Sequence, residues 1–305
     1  SQTPTAKPSP SPSATPSPRP SATATPPPTA APTPTPAPSS TTTPSPEPSP
    51  TRTPSAALEF ILDSGDYDGD GTSDIGIFRP SEGRWAIRNL TSSYFGAATD
   101  FPVPADYNGD GTADMGIFRG DQGMWSIRNL TRVYLGTSTD ALVPGDYRGN
   151  GTAEAGIFRP SAGMWSIRNT TRIYFGNSTD RVTPGDYNGD GRKEAAIFRP
   201  SSILWSVWGV TRFYYGAASD DPVPGDFDGN GTWEGAVFRG SAGMWSARDV
   251  TRVYFGGSAD APLPADYDGD GGDEIGIFRP AAGMWSVLNL TRLYFGASND
   301  IPVTR

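Results

Sequence analysis

The chain has 305 residues, a net charge of −9, no cysteine and no histidine. Without cysteine the fold cannot depend on disulfides, and without histidine it cannot use Ser-His-Asp or Cys-His nucleophiles or histidine metal ligands. An acidic protein is a poor partner for nucleic acid or an anionic membrane, and no apolar run reaches the ~18 residues of a membrane-spanning helix. We therefore expect no nucleic-acid partner, no membrane span and no enzymatic activity.

Residues 1–57 form a tail that consists almost entirely of proline, serine, threonine and alanine, without glycine or aromatic residues. Proline fixes φ near −65° and holds its predecessor in extended geometry, which predicts an extended polyproline II-like tail with a rise of about 3.1 Å per residue. Two interpretations remain open: a disordered spacer, or an ordered rod that carries O-linked sugar and joins copies of the chain. The tail hydroxyls that we consider for covalent glycans include Thr23, Thr25, Thr33 and Thr35.

The first two residues are Ser1 and Gln2 rather than methionine. This start is expected of a processed, exported protein. We therefore expect an extracellular or cell-surface location.

Residues 58–305 hold every Trp, Tyr and Phe of the chain and repeat with a period of 40 residues from about residue 61. The aromatic columns are Phe78, Phe118, Phe158, Phe198, Phe238 and Phe278; Trp85, Trp125, Trp165, Trp205, Trp245 and Trp285; and Tyr94, Tyr134, Tyr174, Tyr214, Tyr254 and Tyr294. We expect all three columns to fill the space between neighbouring sheets.

Each repeat contains four short apolar runs, which in the sixth repeat are 261–267, 274–280, 284–290 and 292–296. A period of about 40 residues with four runs is typical of a propeller blade. The first run often carries two prolines, such as Pro102 and Pro104, which indicates an edge strand beside the central channel. The predicted fold class is all-β: a six-bladed β-propeller of 40-residue four-stranded repeats, preceded by the extended tail.

The two ends of the repeat region compete for one position. The final "NDIPVTR" repeats the first run of a unit that does not continue, and Ile301 falls in the same column as Ile61 of "LEFILDSGD". One of these segments is expected to close the ring. The other is then free to pair with a neighbouring copy by strand addition.

An acidic loop with the pattern D-x-[D/N/R]-G-[D/N]-G-x-x-[D/E] precedes the second run of each repeat. Oxygen donors at positions 1, 3, 5 and 9, with a backbone carbonyl at position 7, suit a hard cation of calcium size. The predicted ligands of several Ca²⁺ ions are Asp66, Asp68, Asp70, Thr72 and Asp74; Asp106, Asn108, Asp110, Thr112 and Asp114; Asp186, Asn188, Asp190, Arg192 and Glu194; Asp226, Asp228, Asn230, Thr232 and Glu234; and Asp266, Asp268, Asp270, Gly272 and Glu274.

The third loop departs from the other five because Arg148 occupies a ligand position. A guanidinium there can replace the charge of the ion, so we expect a weak or empty metal loop. Its remaining ligand positions are Asp146, Asn150, Thr152 and Glu154. A metal-free interpretation of all six loops also stays open, because Asp, Asn and Gly are residues that turns prefer.

The loop, together with "GIFRP" and "YFG" in each unit, resembles the FG-GAP/VCBS-type repeat over about residues 58–305. Phe95-Gly96 and its equivalents match the "FG" element, whereas the "GAP" element is not evident. The resemblance implies an integrin-α-like propeller whose loops join the two inner strands of each blade and bind Ca²⁺. It also implies extracellular roles that range over adhesion, lectin activity and surface scaffolding, so the fold alone does not fix the function.

Three further features recur in the repeats. Asn-x-Thr acceptors for sugar occur at Asn89, Asn129, Asn169, Asn177 and Asn289, where turn chemistry explains the asparagine equally well. Two arginine columns, beginning at Arg79 and Arg132, are expected to form blade-to-blade ion pairs with an aspartate column that begins at Asp100. Trp208 and Trp233 lie outside the aromatic columns and either make a specific contact or fill a local gap.

These features favour an exported, non-catalytic structural protein. Its calcium-stabilised propeller would assemble with other copies of itself into an extracellular filament or surface layer, through the tail and a spare end strand. The alternative is a lectin or cell-adhesion module with carbohydrate as its partner, bound at sites between the blades.

Overall fold

The structure is a computed structural model that describes residues 65–305. The expectations for the tail, its threonines and Ile61 therefore lie outside the described residues. Within residues 65–305, no helix has the length and hydropathy that a membrane crossing requires.

The described residues form 24 strands, numbered β1 to β24 along the chain, in six four-stranded antiparallel sheets. The innermost strands have two residues each: β4 (Phe101–Pro102), β8 (Ala141–Leu142), β12 (Arg181–Val182), β16 (Asp221–Pro222), β20 (Ala261–Pro262) and β24 (Ile301–Pro302). The second strands are β1 (Gly76–Arg79), β5 (Gly116–Arg119), β9 (Gly156–Arg159), β13 (Ala196–Arg199), β17 (Ala236–Arg239) and β21 (Gly276–Arg279).

The third strands are β2 (Arg84–Ile87), β6 (Met124–Ile127), β10 (Met164–Ile167), β14 (Leu204–Val207), β18 (Met244–Ala247) and β22 (Met284–Val287). The outer strands are β3 (Thr91–Tyr94), β7 (Thr131–Tyr134), β11 (Thr171–Tyr174), β15 (Thr211–Tyr214), β19 (Thr251–Tyr254) and β23 (Thr291–Tyr294). Blade 1 has the order β24-β1-β2-β3, and each later blade consists of four consecutive strands. The predicted six-bladed, all-β propeller is confirmed, including its short inner edge strands, four of which contain a proline.

The largest side chains of the core are one Phe and one Trp from every blade. All twelve of these side chains are less than 2% exposed. Within each blade the two rings lie on paired strands, as Phe118 and Trp125 do, with centroids 5.0–5.5 Å apart. Each indole N–H donates to a backbone carbonyl ten residues later, for example Trp125 to Leu135 at 3.0 Å. The prediction for the Phe and Trp columns is therefore correct.

The prediction for the tyrosine column is wrong. The six tyrosines are 66–72% exposed and lie on the outer strands. In blade 2 the residue that faces Trp125 is Val133, and Tyr134 is the next residue along the strand. Because successive side chains of a strand point to opposite faces, Tyr134 leaves the inter-blade space that Val133 enters.

Closure of the ring is provided by β24. Ile301 pairs with Phe78 and Pro302 with Ile77, so the last strand completes blade 1 of its own chain. The hydroxyl of Thr304 accepts from the Gly76 amide at 2.9 Å and donates to the Asp74 carbonyl at 2.6 Å. The C-terminal segment is thus the closing strand and is not the spare one.

A bidentate ion pair links the second strand of every blade to the residue that precedes the innermost strand of the same blade, so the expectation that these pairs join neighbouring blades is wrong. The second-strand arginine donates two hydrogen bonds of 2.6–2.9 Å to an aspartate whose side chain is at most 1% exposed. The pairs are Arg79–Asp300, Arg119–Asp100, Arg159–Asp140, Arg199–Asp180, Arg239–Asp220 and Arg279–Asp260. The carboxylate raises the pKa of each of these arginines. In the second arginine column the expectation fails, because Arg212, Arg252 and Arg292 donate to serines instead.

Candidate functional site

The acidic loops precede the second strands, and in blades 2 to 6 each loop joins the two inner strands of its blade, as expected. A bridge between the residue before the loop and the ninth loop residue closes its base, as between Ala105 and Asp114. The loop therefore begins and ends on adjacent strands, which brings its first and last carboxylates to the same end of the blade.

The first aspartate organises each loop. In loop 1 the two carboxylate oxygens of Asp66 accept from the amides of Gly69 at 2.6 Å and Gly71 at 2.9 Å. These glycines have φ of +81° and +88°, a conformation that residues with a side chain rarely adopt. Loops 2, 3, 4 and 6 repeat the two bonds, and loop 5 replaces the first with a bond from the Asn230 amide at 3.1 Å. The glycine positions of the motif thus have a conformational cause.

The ninth residue is fixed by the second. The amide of Tyr67 donates to Asp74 at 2.9 Å, and the other five loops make the same bond at 2.8–3.1 Å. The Tyr67 hydroxyl continues inward and donates to the Val303 carbonyl at 2.7 Å. The last carboxylate of the loop is therefore held by the backbone amide of a residue whose side chain is itself anchored to the innermost strand segment.

The six loops are joined to one another. The amide of the eighth loop residue donates to the carbonyl of the first residue of the preceding loop at 2.5–2.9 Å. The donor–acceptor pairs are Ser73–Asp266, Ala113–Asp66, Ala153–Asp106, Lys193–Asp146, Trp233–Asp186 and Asp273–Asp226. These bonds close a ring around the channel, which we call the loop ring.

Four of the loops, among the described residues, bring three carboxylate oxygens within 4.8 Å of one another. Ca²⁺ binds oxygen at 2.3–2.6 Å, so a central ion reaches two oxygens that are about twice that distance apart. The groups are Asp66, Asp68 and Asp70; Asp186, Asp190 and Glu194; Asp226, Asp228 and Glu234; and Asp266, Asp268 and Glu274. Donor type and spacing fit a hard cation in these four loops.

The structure does not bring all the predicted carboxylates together. Asp74 and Asp270 lie outside the groups of their own loops, and loop 2 does not gather Asp106, Asp110 and Asp114 within that distance. In loop 2 the side-chain amide of Asn108 donates to the Asp114 carboxylate at 3.4 Å. In loop 4 the side-chain amide of Asn188 donates to the Glu194 carboxylate at 2.8 Å. The asparagine at position 3 therefore contacts position 9.

The ninth carboxylates are raised in pKa. The pKa of Glu194 and of Glu234 is raised to about 7, chiefly by burial and also by neighbouring aspartates, while the hydrogen bond from the backbone lowers it. Burial followed by like charges also raises the pKa of Asp74 and Glu274, and the Asp114 pKa is raised in the same way. A bound cation would reverse this repulsion between carboxylates.

Loop 3 holds a protein cation in the same place. The Arg148 guanidinium makes an ion pair and a hydrogen bond with one oxygen of Glu154, whose side chain is 4% exposed. Burial still raises the pKa of Glu154, and Arg148 opposes that effect. The contact agrees with the argument that led us to expect weak metal binding here; the metal content of this loop stays a prediction.

The hairpin tips explain the Asn-x-Thr column by backbone geometry. Asn89, Asn129, Asn169 and Asn289 have φ of 58–62°. The equivalent residues Asp249 and Gly209 have φ of 63° and 76°. Asn, Asp and Gly are the residues that tolerate this left-handed conformation. Sugar on these exposed side chains, or on Asn177, stays a prediction.

A cluster at the channel was missed from the sequence. Trp233 is half-buried, with the Lys193 Nζ 4.9 Å and the Arg305 Cζ 4.2 Å from its ring centroid. A Cβ on Gly185 would lie 2.2 Å from Trp233, and a Cβ on Gly225 would lie 2.2 Å from Asp273. The available signal lay in the residue before each of these loops. Gly185 and Gly225 precede loops 4 and 5, and the loop that follows each of them along the chain carries a large residue, Trp233 or Asp273, at position 8. Ala105 and Ala265 precede loops whose next loop around the ring carries a small residue at that position.

Trp208 differs from Trp233 because it stays exposed. Its side chain is 48% exposed, and its ring meets that of Phe175 edge-on, with centroids 5.3 Å apart. Of the two alternatives for the irregular tryptophans, the exposed Trp208 stays available for a specific contact, whereas Trp233 packs inside the chain against two cations.

No protein-family model and no curated protein matches the chain. Three solved structures are similar to it. One belongs to a lectin of Agrocybe aegerita, described as the structural basis of specific recognition of non-reducing terminal N-acetylglucosamine. It is 17% identical to this chain, covers 78% of this chain and 78% of its own, and has a TM-score of 0.49. The assignment of the six-bladed propeller rests on the strand pairing described above.

Proposed function

We propose that this chain is an exported, non-catalytic structural protein of the FG-GAP/VCBS repeat type. In this proposal its loops bind several Ca²⁺ ions, and its copies assemble outside the cell into a filament or surface layer. The observation that carries the proposal is the loop ring, because it joins six acidic loops, four of which gather three carboxylate oxygens each, into one continuous element of the scaffold.

Calcium would act on the scaffold through the loop residues. The ninth carboxylate would be held by the second residue's amide, the first carboxylate by the glycine amides, and the remaining oxygens would complete the ion's shell. The ion supplies charge neutralisation of a half-buried acidic group. Because each loop is bonded to the next, ordering one loop favours order in its neighbours.

The proposed assembly uses a segment for which blade 1 has no free position, because β24 already occupies its innermost strand position. β24 takes the innermost position, and residues 58–62 fall in the same column of the repeat. We assign residues 58–62 as the segment that contacts a neighbouring copy, with the proline-rich tail on its N-terminal side. Strand addition supplies main-chain hydrogen bonds and needs only a short apolar segment.

Electron microscopy of the full chain in Ca²⁺ tests the assembly. We expect filaments or sheets from the unmodified chain and none from Phe60→Asp/Ile61→Asp. Leu90→Asp is the matched control because it removes an apolar side chain that is 43% exposed on the propeller itself. It should assemble normally. Circular dichroism checks that all three proteins fold. A folded, unmodified chain that stays monomeric in Ca²⁺ would refute the assembly proposal, and normal assembly of the double variant would refute the role of residues 58–62.

A further inference from the structure

A groove of about 660 Å³ lies between blades 3 and 4. Phe175, which follows β11, and Trp208, which follows β14, form its aromatic walls, and their rings are inclined at 63°. Ser206 and Arg212 line the same groove. Its volume falls in the range of small-molecule sites.

The core does not need the Trp208 side chain. The core position of blade 4 is already filled by Trp205, which is fully buried. Other blades carry arginine or leucine at the equivalent position: Arg88, Arg128, Arg168, Arg248 and Leu288. The next residue is Gly209, and a Cβ built there would have open space around it. An indole that is half exposed beside an open glycine points to a contact outside the chain.

The groove contains one polar group that is bonded within the described part of the chain, the Arg212 guanidinium, and one that is not, the Trp208 indole N–H. The Nε of Arg212 donates to the Ser206 hydroxyl at 3.1 Å, which holds the guanidinium beside the aromatic walls. The Trp208 indole N–H, in contrast to the six core indoles, has no acceptor within residues 65–305. The groove is therefore lined by two aromatic side chains and by two residues that carry hydrogen-bond donors, Trp208 and Arg212.

We propose that this groove binds a neutral pyranose ring of a carbohydrate. A pyranose has one face of C–H groups, which stacks on an aromatic ring, and an edge of hydroxyls, which accept from guanidinium and indole N–H groups. Arg212 disfavours a cationic ligand, and the net charge of −9 disfavours a polyanion. A protein partner would need about 800 Å² of contact, far more than two rings and an arginine supply. The site goes beyond the structural role and does not depend on assembly.

A glycan array probed with the Ca²⁺-loaded full chain tests this site. Neutral oligosaccharides that are retained on the array are then titrated in solution against tryptophan fluorescence. We expect at least one neutral glycan to bind, Trp208→Ala to weaken it at least tenfold, and Trp208→Phe to weaken it less. Leu290→Ala, at an exposed tip in blade 6, is the matched control and should bind as the unmodified chain does.

The variant Arg212→Gln distinguishes a sugar, which would bond the guanidinium through its hydroxyls, from an apolar ligand that contacts only the aromatic rings. A sugar loses a hydroxyl contact in this variant, so its affinity should fall several-fold while the aromatic walls remain. Equal melting temperatures of the variants establish that the fold is retained. Three results would overturn the proposal: no neutral glycan bound by the unmodified chain, unchanged binding by Trp208→Ala, or a ligand that depends on Trp208 and ignores Arg212.

Discussion

A single side chain distinguishes loop 3 from its five relatives. Arg148 sits at the third loop position and pairs with Glu154, whereas Asn108 and Asn188 occupy that position in loops 2 and 4 and contact the same ninth residue through an amide. The amide can turn its oxygen toward an ion, but the guanidinium has no acceptor atom. The difference between the loops is therefore one of charge and donor type on an unchanged backbone.

Arg148→Asn is expected to create a further calcium site. Removing the guanidinium leaves Glu154 without its cation and supplies an amide oxygen, so the number of Ca²⁺ ions bound per chain should rise by one in equilibrium dialysis. Arg168→Asn removes an exposed arginine of the same blade outside the loop and should leave the stoichiometry unchanged. An unchanged ion count in Arg148→Asn would argue against metal ligation by this loop design.

Gly163→Ala is expected to destabilise the fold by about 2–3 kcal/mol. Gly163 has φ of +57°, and a Cβ there would lie 2.3 Å from the Gly176 carbonyl oxygen. Gly257→Ala is the matched control, because a Cβ at Gly257 meets nothing within 4 Å. Urea unfolding in excess Ca²⁺ measures both. Equal midpoints for the two variants would show that this turn relaxes without cost.

At the scale of the strand, ring closure depends on contacts without a covalent link to the rest of blade 1. β8 is joined to β9 by a loop of the same blade. β24 has no such loop to β1, and non-covalent contacts hold it in blade 1: strand pairing, the Thr304 hydroxyl, the Arg79–Asp300 pair and hydrogen bonds from Tyr67 and Ser73. Removing the equivalent ion pair from blade 1 and from another blade should therefore loosen the innermost strand more in blade 1, where that strand is the closing strand.

Arg79→Gln tests that difference against Arg159→Gln. Each change strands a buried carboxylate at a cost of about 2 kcal/mol, less than for a fully buried pair because the arginines are 25% and 36% exposed. Hydrogen exchange should quicken at the Val303 amide in Arg79→Gln by more than at the Val143 amide in Arg159→Gln; both amides bond a glycine carbonyl at 2.9 Å. Equal acceleration would mean that the closing strand opens only with the whole ring.

The repeating sequence pattern predicts the architecture of the blades well, but it predicts few of the contacts that form when the blades close into a ring. The 40-residue period, the Phe and Trp columns and the loop glycines all follow from residue type and short-range geometry. Tyr134 was misplaced because a one-residue step on an outer strand changes the face, and the apolar character of tyrosine does not reveal that step. The contact of Trp233 with Gly185 and Arg305 exists only once the blades form a ring, so no local pattern contains it.

At the scale of the whole molecule, chelation is expected to lower stability strongly. Binding to the folded state alone adds about 2.7 kcal/mol per site at a hundredfold excess over Kd, and a protein of this size loses about 2–4 °C per kcal/mol. EGTA should therefore lower the melting temperature by more than about 10 °C, and added Ca²⁺ should restore it. Mg²⁺, which demands a tighter octahedral shell, serves as the control ion and should restore less. A melting temperature that ignores EGTA would mean that the loops are turns without ions.

The departures from the repeat lie in neighbouring sectors of the ring. Trp208 belongs to blade 4, Trp233 to the loop of blade 5 and Asp273 to that of blade 6, and Arg305 reaches Trp233 from the closing segment. Six identical sectors would look the same after every 60° turn, so a body that touched such a disc could settle in six equivalent azimuths. One distinguishable arc removes that ambiguity. A partner that recognises this arc therefore binds the propeller in a single rotational orientation about its axis.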